Sequence, residues 1–99
     1  MWILRTIDEG DASMIFRILP GGVRTIGRTT AADFILDEAL VSRIHCRLTA
    51  TNGGDLEIRD LDSTNGTFVN GERINVARLT PGDRLQLGRV EMIALRETD

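Results

Sequence analysis

Short apolar or alternating runs recur about every eight to twelve residues along this chain, and Gly, Pro, Asn and Asp stand between them. Trp2 to Ile7 reads as a first strand, followed by a charged turn, Asp8-Glu9-Gly10-Asp11. Met14 to Leu19 is a second, closed by Pro20-Gly21-Gly22, and Val23 to Ile26 a third, stopping at Gly27. Phe34-Ile35-Leu36 is a short fourth. In Ile44 to Ala50, Ile44, Cys46 and Leu48 alternate with His45, Arg47 and Thr49, the period of a half-buried strand. Asn52-Gly53-Gly54-Asp55 turns the chain into Leu56 to Arg59; Thr67 to Val69 and Arg73-Ile74 follow. Beyond the turn Thr80-Pro81-Gly82-Asp83, Arg84 to Leu87 pairs with Val90 to Leu95 across Gly88-Arg89. Thr30 to Val41 holds Ala and Leu that would support a helical turn, but it is too short and too poorly patterned to change the class. About ten or eleven short strands at this spacing predict an all-β sandwich or barrel.

The densest polar stretch is Asp60-Leu61-Asp62-Ser63-Thr64-Asn65-Gly66-Thr67-Phe68-Val69-Asn70-Gly71. Its two Asn-Gly pairs are turn signals, because both residue types tolerate positive φ. The chain is therefore expected to reverse, run through Thr67 to Val69 and reverse again. A turn needs only the Asn-Gly pair, so the run Asp60 to Asn65 asks for a further reason. One is self-capping, in which these groups satisfy each other and the local backbone; the other is a ligand.

The 99 residues make one domain of ordinary globular composition, 41% hydrophobic and 27% charged. The last strand ends close to Asp99, which suggests a piece of a longer protein. No run approaches the roughly 20 apolar residues of a membrane helix, and the N-terminus lacks the pattern of a signal peptide. Cys46 is the single cysteine, so no internal disulfide staples the fold; this fits a reducing compartment, and the expected location is the cytoplasm. A net charge of −3 argues against nucleic acid as a partner. All 12 basic residues are arginine. That removes lysine-dependent chemistry and leaves planar groups suited to gripping carboxylate or phosphate.

Three polar clusters fall in turns: Gly27-Arg28, Ser42-Arg43-Ile44-His45 and Asp60 to Asn65. Loops at one end of a sandwich converge. If these three meet, they offer guanidinium groups, hydroxyls, an amide and turn N–H groups, an inventory for a phosphate. A hydrolytic triad of Ser42, His45 and Asp60 or Asp62 is disfavoured: the strand pattern puts His45 on the face of Arg43 and Arg47, whose charges oppose an imidazolium, and no Gly-x-Ser-x-Gly elbow is present. The segment from Asp60 opens like a calcium loop, but Asn65 stands where its turn needs Gly and Gly71 where it needs Glu. One Cys and one His exclude an ordinary zinc site. No metal or cofactor is expected.

Taken together, Gly27-Arg28, Ser42-x-x-His45 and Asp60-x-x-Ser63-x-Asn65-Gly66-Thr67-Phe68-Val69-Asn70-Gly71 resemble the signature of the forkhead-associated (FHA) domain. Leu79-Thr80-Pro81-Gly82-Asp83 and Leu87-Gly88 fit the same pattern, and the resemblance spans about residues 23 to 88 with no departure at a motif position. It implies an eleven-stranded antiparallel β-sandwich whose loops at one end bind phosphothreonine peptides, a non-enzymatic module acting with a Ser/Thr kinase or its substrate. By the resemblance Arg28 and Ser42 bind the phosphate with help from Arg43 and Thr64, and Asn65 holds the peptide main chain. Leu40 is a candidate contact beyond the phosphothreonine. Gly27, His45, Ser63, Gly66 and Asn70 are then architectural. The rival expectation is an FHA-like scaffold that docks a protein independently of phosphorylation.

Overall fold

A computed structural model describes residues 1–7 and 13–97. In chain order its strands are β1 (Trp2–Thr6), β2 (Ile15–Ile18), β3 (Val23–Gly27), β4 (Phe34–Ile35), β5 (Cys46–Ala50) and β6 (Leu56–Asp60). Then come β7 (Thr67–Val69), β8 (Glu72–Ile74), β9 (Val76–Leu79), β10 (Arg84–Leu87) and β11 (Val90–Arg96). They form a six-stranded sheet, β2-β1-β11-β10-β7-β8, and a five-stranded sheet, β4-β3-β5-β6-β9. No helix occurs among the described residues, so Thr30 to Val41 is turns and the short β4. The turn expected at Asp8 to Asp11 lies outside the described residues.

Alternation decides what is buried. Trp2 and Leu4 of β1, Cys46, Leu48 and Ala50 of β5, and Leu56 and Ile58 of β6 point inward. Leu85 and Leu87 of β10 and Met92 and Ala94 of β11 complete the layer between the sheets. Burying a side chain of Leu size contributes roughly 1.5–3 kcal/mol, so the period-two pattern is also where the stability sits. At one lateral edge Phe16 of β2 stacks on Phe34 of β4 with ring centroids 4.5 Å apart, joining the two sheets. The Trp2 indole N–H donates to the Gly54 carbonyl at 3.0 Å, tying β1 to the β5–β6 hairpin of the other sheet.

Three details depart from the sequence reading. First, β9 is a strand that the pattern does not announce: Val76 is 45% exposed and only Leu79 is fully buried, so the segment lacks a clear apolar face. It exists because the chain crosses at Asn75 from β8 to pair with β6 of the second sheet. Second, the two-residue bridge between β3 and β4 is parallel, whereas the remaining ladders are antiparallel. The Asp33 carboxylate accepts from the Thr25 N–H at 2.8 Å and Asp33 N–H donates to Thr25 Oγ1 at 3.0 Å, so the loop comes full circle beside β3. Third, β5 begins at Cys46, not Ile44. Ile44 is 40% exposed and His45 is fully buried, the reverse of the alternation expected.

The ends of β3, β6 and β10 and the starts of β5, β7 and β11 lie together, as the pairs Ile26↔Cys46, Cys46↔Asp60, Leu87↔Thr67 and Leu87↔Val90 require. Their connecting loops make one end of the sandwich.

Candidate functional site

The loops at this end are pinned by one hydrogen-bond chain. Arg28 N–H donates to the Ser42 carbonyl at 2.9 Å, and Ser42 N–H donates to His45 Nδ1 at 3.0 Å. His45 Nε2 lies 2.9 Å from the Gly66 carbonyl. A carbonyl only accepts and an amide N–H only donates, so the ring is the Nε2–H tautomer with a bare Nδ1. Gly66 N–H then donates to Ser63 Oγ at 3.0 Å, whose hydroxyl donates to Asp60 Oδ1 at 2.5 Å. Asp60 also accepts from Thr67 Oγ1 at 2.7 Å and Ser63 N–H at 3.1 Å. His45, Ser63 and Thr67 are buried, so this polar web crosses from one sheet to the other inside the fold.

Two glycines make the close approaches possible. A Cβ at Gly27 would overlap the Arg43 carbonyl, so β3 and the segment leading into β5 touch backbone to backbone only because nothing projects there. Gly66 has φ +91°, and a Cβ on it would lie 2.7 Å from Arg73 Nε, whose guanidinium lies over the turn. The first Asn-Gly pair is thus not a two-residue hairpin: it belongs to the crossing from β6 to β7, with positive φ at Asp62 and Gly66 rather than at Asn65. The self-capping expected of Asp60 to Asn65 is present, and it leaves a second set of groups facing outward.

That set surrounds an open depression of about 160 Å³ lined by Arg28, Leu40, Val41, Ser42, Thr64 and Asn65, with Ala39 beside Leu40. Arg28 Nε donates to the Val41 carbonyl at 3.0 Å, which aims the guanidinium and leaves both Nη groups without a protein acceptor among the described residues. Ser42 Oγ accepts from Thr64 N–H at 3.1 Å, so its own proton remains to be donated. Asn65 Nδ2 donates to the Leu40 carbonyl at 2.9 Å, holding the two loops together while its Oδ1 stays open. A guanidinium fork, a hydroxyl and an amide that share one exposed depression can surround an oxyanion and hold the chain that carries it.

Of the residues singled out from sequence, Arg28, Leu40, Ser42, Thr64 and Asn65 meet here. Gly27, His45, Ser63 and Gly66 form the support beneath them. Arg43 does not line the depression; its side chain is exposed, and its contribution is a carbonyl that accepts from Thr29 N–H at 3.4 Å. Asn70 lies at the opposite end, where Arg84 N–H donates to its Oδ1 at 2.9 Å and its Nδ2 donates to Asp83 at 3.1 Å. His45 does not share a face with Arg43 and Arg47, since both ring nitrogens are turned inward to backbone partners. Neither nitrogen meets the Ser42 hydroxyl and Asp60 is taken up by Ser63 and Thr67, so no relay of serine, histidine and aspartate is assembled. Val41 and Arg73 carry roles that the sequence does not flag, because a carbonyl that aims a neighbour leaves no mark on residue type.

Electrostatics follow from the same contacts. Partial burial pushes the Asp60 carboxyl up, but the Ser63 and Thr67 hydroxyls and the Ser63 N–H outweigh it and hold the group below the ordinary aspartate value. Burial, with Asp60 adding to it, pushes the Cys46 thiol well up, so it stays protonated and inert. Among the described residues no cluster of His, Cys, Asp or Glu has the makings of a metal site.

Comparison with known proteins places this geometry. The chain is 45% identical over 75 residues to the ABC transporter ATP-binding/permease protein Rv1747 of Mycobacterium tuberculosis, covering 76% of this chain and 9% of that protein. It is 39% identical over 71 residues to the oxoglutarate dehydrogenase inhibitor of Corynebacterium efficiens, covering 72% of this chain and 49% of the inhibitor. The chain therefore spans half or less of the length of these relatives. Among solved structures, one from a structural and functional analysis of phosphothreonine-dependent FHA domain interactions superposes with a TM-score of 0.83 at 32% identity, covering 99% of this chain and 98% of that one. Residues 24–88 match the family model of the FHA domain, and with the two sheets and the loop-end constellation in place the chain belongs to the forkhead-associated domain family.

Proposed function

We propose that this chain is a phosphothreonine-dependent protein–protein interaction module and not an enzyme, reading partners phosphorylated by a Ser/Thr kinase, and that it forms one such domain over residues 1–99. The observation that carries the reading is the outward-facing set of Arg28, Ser42, Thr64 and Asn65 around a single depression, where the Arg28 Nη groups, the Ser42 hydroxyl proton and Asn65 Oδ1 have no protein partner among the described residues. Arg28 supplies the fork to the phosphate, Ser42 and Thr64 add hydroxyls, and Asn65 holds the peptide main chain beside it. Leu40 contacts the peptide further along. Arg43 assists as a nearby charge at longer range. The similar domain characterised for phosphothreonine-dependent interactions supports the choice of ligand.

A longer protein containing this domain is part of the same reading, as is a cytoplasmic location, where the buried thiol of Cys46 stays reduced. No helix among the described residues is long and apolar enough to cross a membrane.

Calorimetry with a phosphothreonine peptide, its unphosphorylated twin and the Arg28→Ala variant tests the reading. Loss of a charge-assisted contact costs about 1.5–3 kcal/mol and more when bidentate, so the variant is expected to bind at least tenfold more weakly while keeping its fold. Equal binding of both peptides by the native chain would instead favour docking independent of phosphorylation.

A further inference from the structure

The two sheets differ on their outer faces. The interior strands β5 and β6 of the five-stranded sheet turn Arg47, Thr49, Glu57 and Arg59 outward, all polar, as suits a face that meets water. The interior strands β1 and β11 of the six-stranded sheet alternate in the same way, yet Ile3, Ile93 and Leu95 take outward positions. Ile3 stands directly across from Leu95, and Arg5 from Ile93. On β2, Ile15 stands across from Arg5 and is 48% exposed. Strand propensity favours isoleucine, but β5 and β6 fill their outward positions without any aliphatic residue. The aliphatic groups outside β1 and β11 add nothing to the layer between the sheets, and a partner that covers them accounts for their place.

The charges around this patch define the partner. Arg17 stands across from Ile3 and Arg84 across from Ile93, so guanidinium groups border the aliphatic side chains on both flanks. Glu91 is engaged by Arg84 at 3.1 Å, whereas Arg5 and Arg17 have no ion pair among the described residues. Glu97 lies past the end of β11, where its carbonyl accepts from the Met1 ammonium at 3.1 Å. A second copy laid on this face about a two-fold axis would bring arginine towards arginine, with Glu91 already engaged. A partner with carboxylates beside its apolar residues meets both needs. Neighbouring strands lie about 4.8 Å apart, so the strip from β2 to β10 is roughly 14 Å wide. That seats one α-helix, about 10–12 Å across.

We infer that the outer face of β2, β1 and β11 docks an acidic amphipathic helix of a protein partner. Its apolar stripe lies against Ile3, Ile15, Ile93 and Leu95, and its carboxylates meet Arg5 and Arg17. None of these residues lines the phosphate-facing depression, so the inference does not depend on the phosphothreonine reading. A partner attached at both places gains overall affinity through effective concentration.

The probe is a synthetic helix of about 18 residues, with leucine at helical spacing on one face and glutamate flanking it. Its controls are a scrambled peptide of the same composition and a twin with lysine in place of glutamate. Titrated into the chain at fixed low salt, the acidic helix is expected to bind at least about tenfold more tightly than either control, equivalent to 1.4 kcal/mol. Ile93→Thr/Leu95→Thr should lose that binding, and a cooperative urea transition shows that the variant folds. Arg5→Glu/Arg17→Glu keeps the aliphatic groups and should switch the preference to the lysine twin, a change that unfolding cannot produce. No binding of the acidic helix, equal binding of the scrambled peptide, or an acidic preference that survives Arg5→Glu/Arg17→Glu would overturn the proposal. So would a dimer in light scattering that dissociates in Ile93→Thr/Leu95→Thr, because the face would then belong to a second copy.

Discussion

His45 joins two loops through one ring. It accepts from Ser42 N–H and donates to the Gly66 carbonyl, and it is completely buried. His45→Ala leaves a donor and an acceptor without partners, a loss of roughly 1–3 kcal/mol. The urea midpoint, followed through the fluorescence of the sole tryptophan, Trp2, should fall accordingly, with affinity declining only as the loops loosen. An unchanged midpoint with abolished binding would mean that His45 touches the ligand itself. Asp60 works from the other side of the same web. Its folded-state pKa is lowered, so the unfolded chain takes up the proton first as acid is added. Its contribution is therefore present above the ordinary aspartate value of about 3.9 and is lost as pH falls through the lowered folded value. Asp83 is lowered as well: partial burial raises it, and the donated bonds from Thr80 and Asn70 outweigh that. Stability should thus fall from pH 5 towards pH 3, and the fall should be shallower in Asp60→Asn. An equally steep fall in the variant would remove Asp60 from the account.

At the scale of elements, the second Asn-Gly pair makes a two-residue hairpin between β7 and β8, as the register Val69↔Glu72 shows. Asn70 has φ +50° and Gly71 +85°, the conformation that such a turn demands. Asn70→Ala puts a Cβ-bearing residue without local hydrogen bonds at positive φ and frees Arg84 N–H, for a loss of about 1–2 kcal/mol. Because this turn is at the end away from Arg28, phosphopeptide affinity should not change; a parallel loss of affinity would tie the turn to the site. The contrast between the two Asn-Gly pairs marks how far residue types reach. Turn residues and the two-residue period of inward positions such as Cys46, Leu48 and Ala50 report local geometry, so most strands and the three loop clusters are legible. Val76 to Leu79 is not, because pairing with β6 rather than its own pattern makes it a strand. His45 is misplaced by strand periodicity for a related reason: two long-range hydrogen bonds turn it inward before the alternation of β5 begins. Arg43 stands next to Ser42 in sequence, yet only Ser42 reaches the depression.

At the scale of the molecule, two sheets bury one apolar layer and thereby hold loops from both sheets at one end. The depression has apolar lining from Ala39 and Leu40 beside the polar groups of Arg28, Ser42 and Asn65. Phosphothreonine and phosphoserine present the same charge and the same oxygens, so those polar groups cannot tell them apart. The methyl group can be told apart by an apolar wall: its burial contributes roughly 0.8 kcal/mol, and the β-branch lowers the ordering cost of binding. Titration of the chain, at fixed salt, with two peptides that differ only in that methyl is the most direct measurement. The account predicts at least about a tenfold preference for phosphothreonine, or roughly 1.4 kcal/mol; equal affinities would contradict it and reduce the site to a general binder of phosphate.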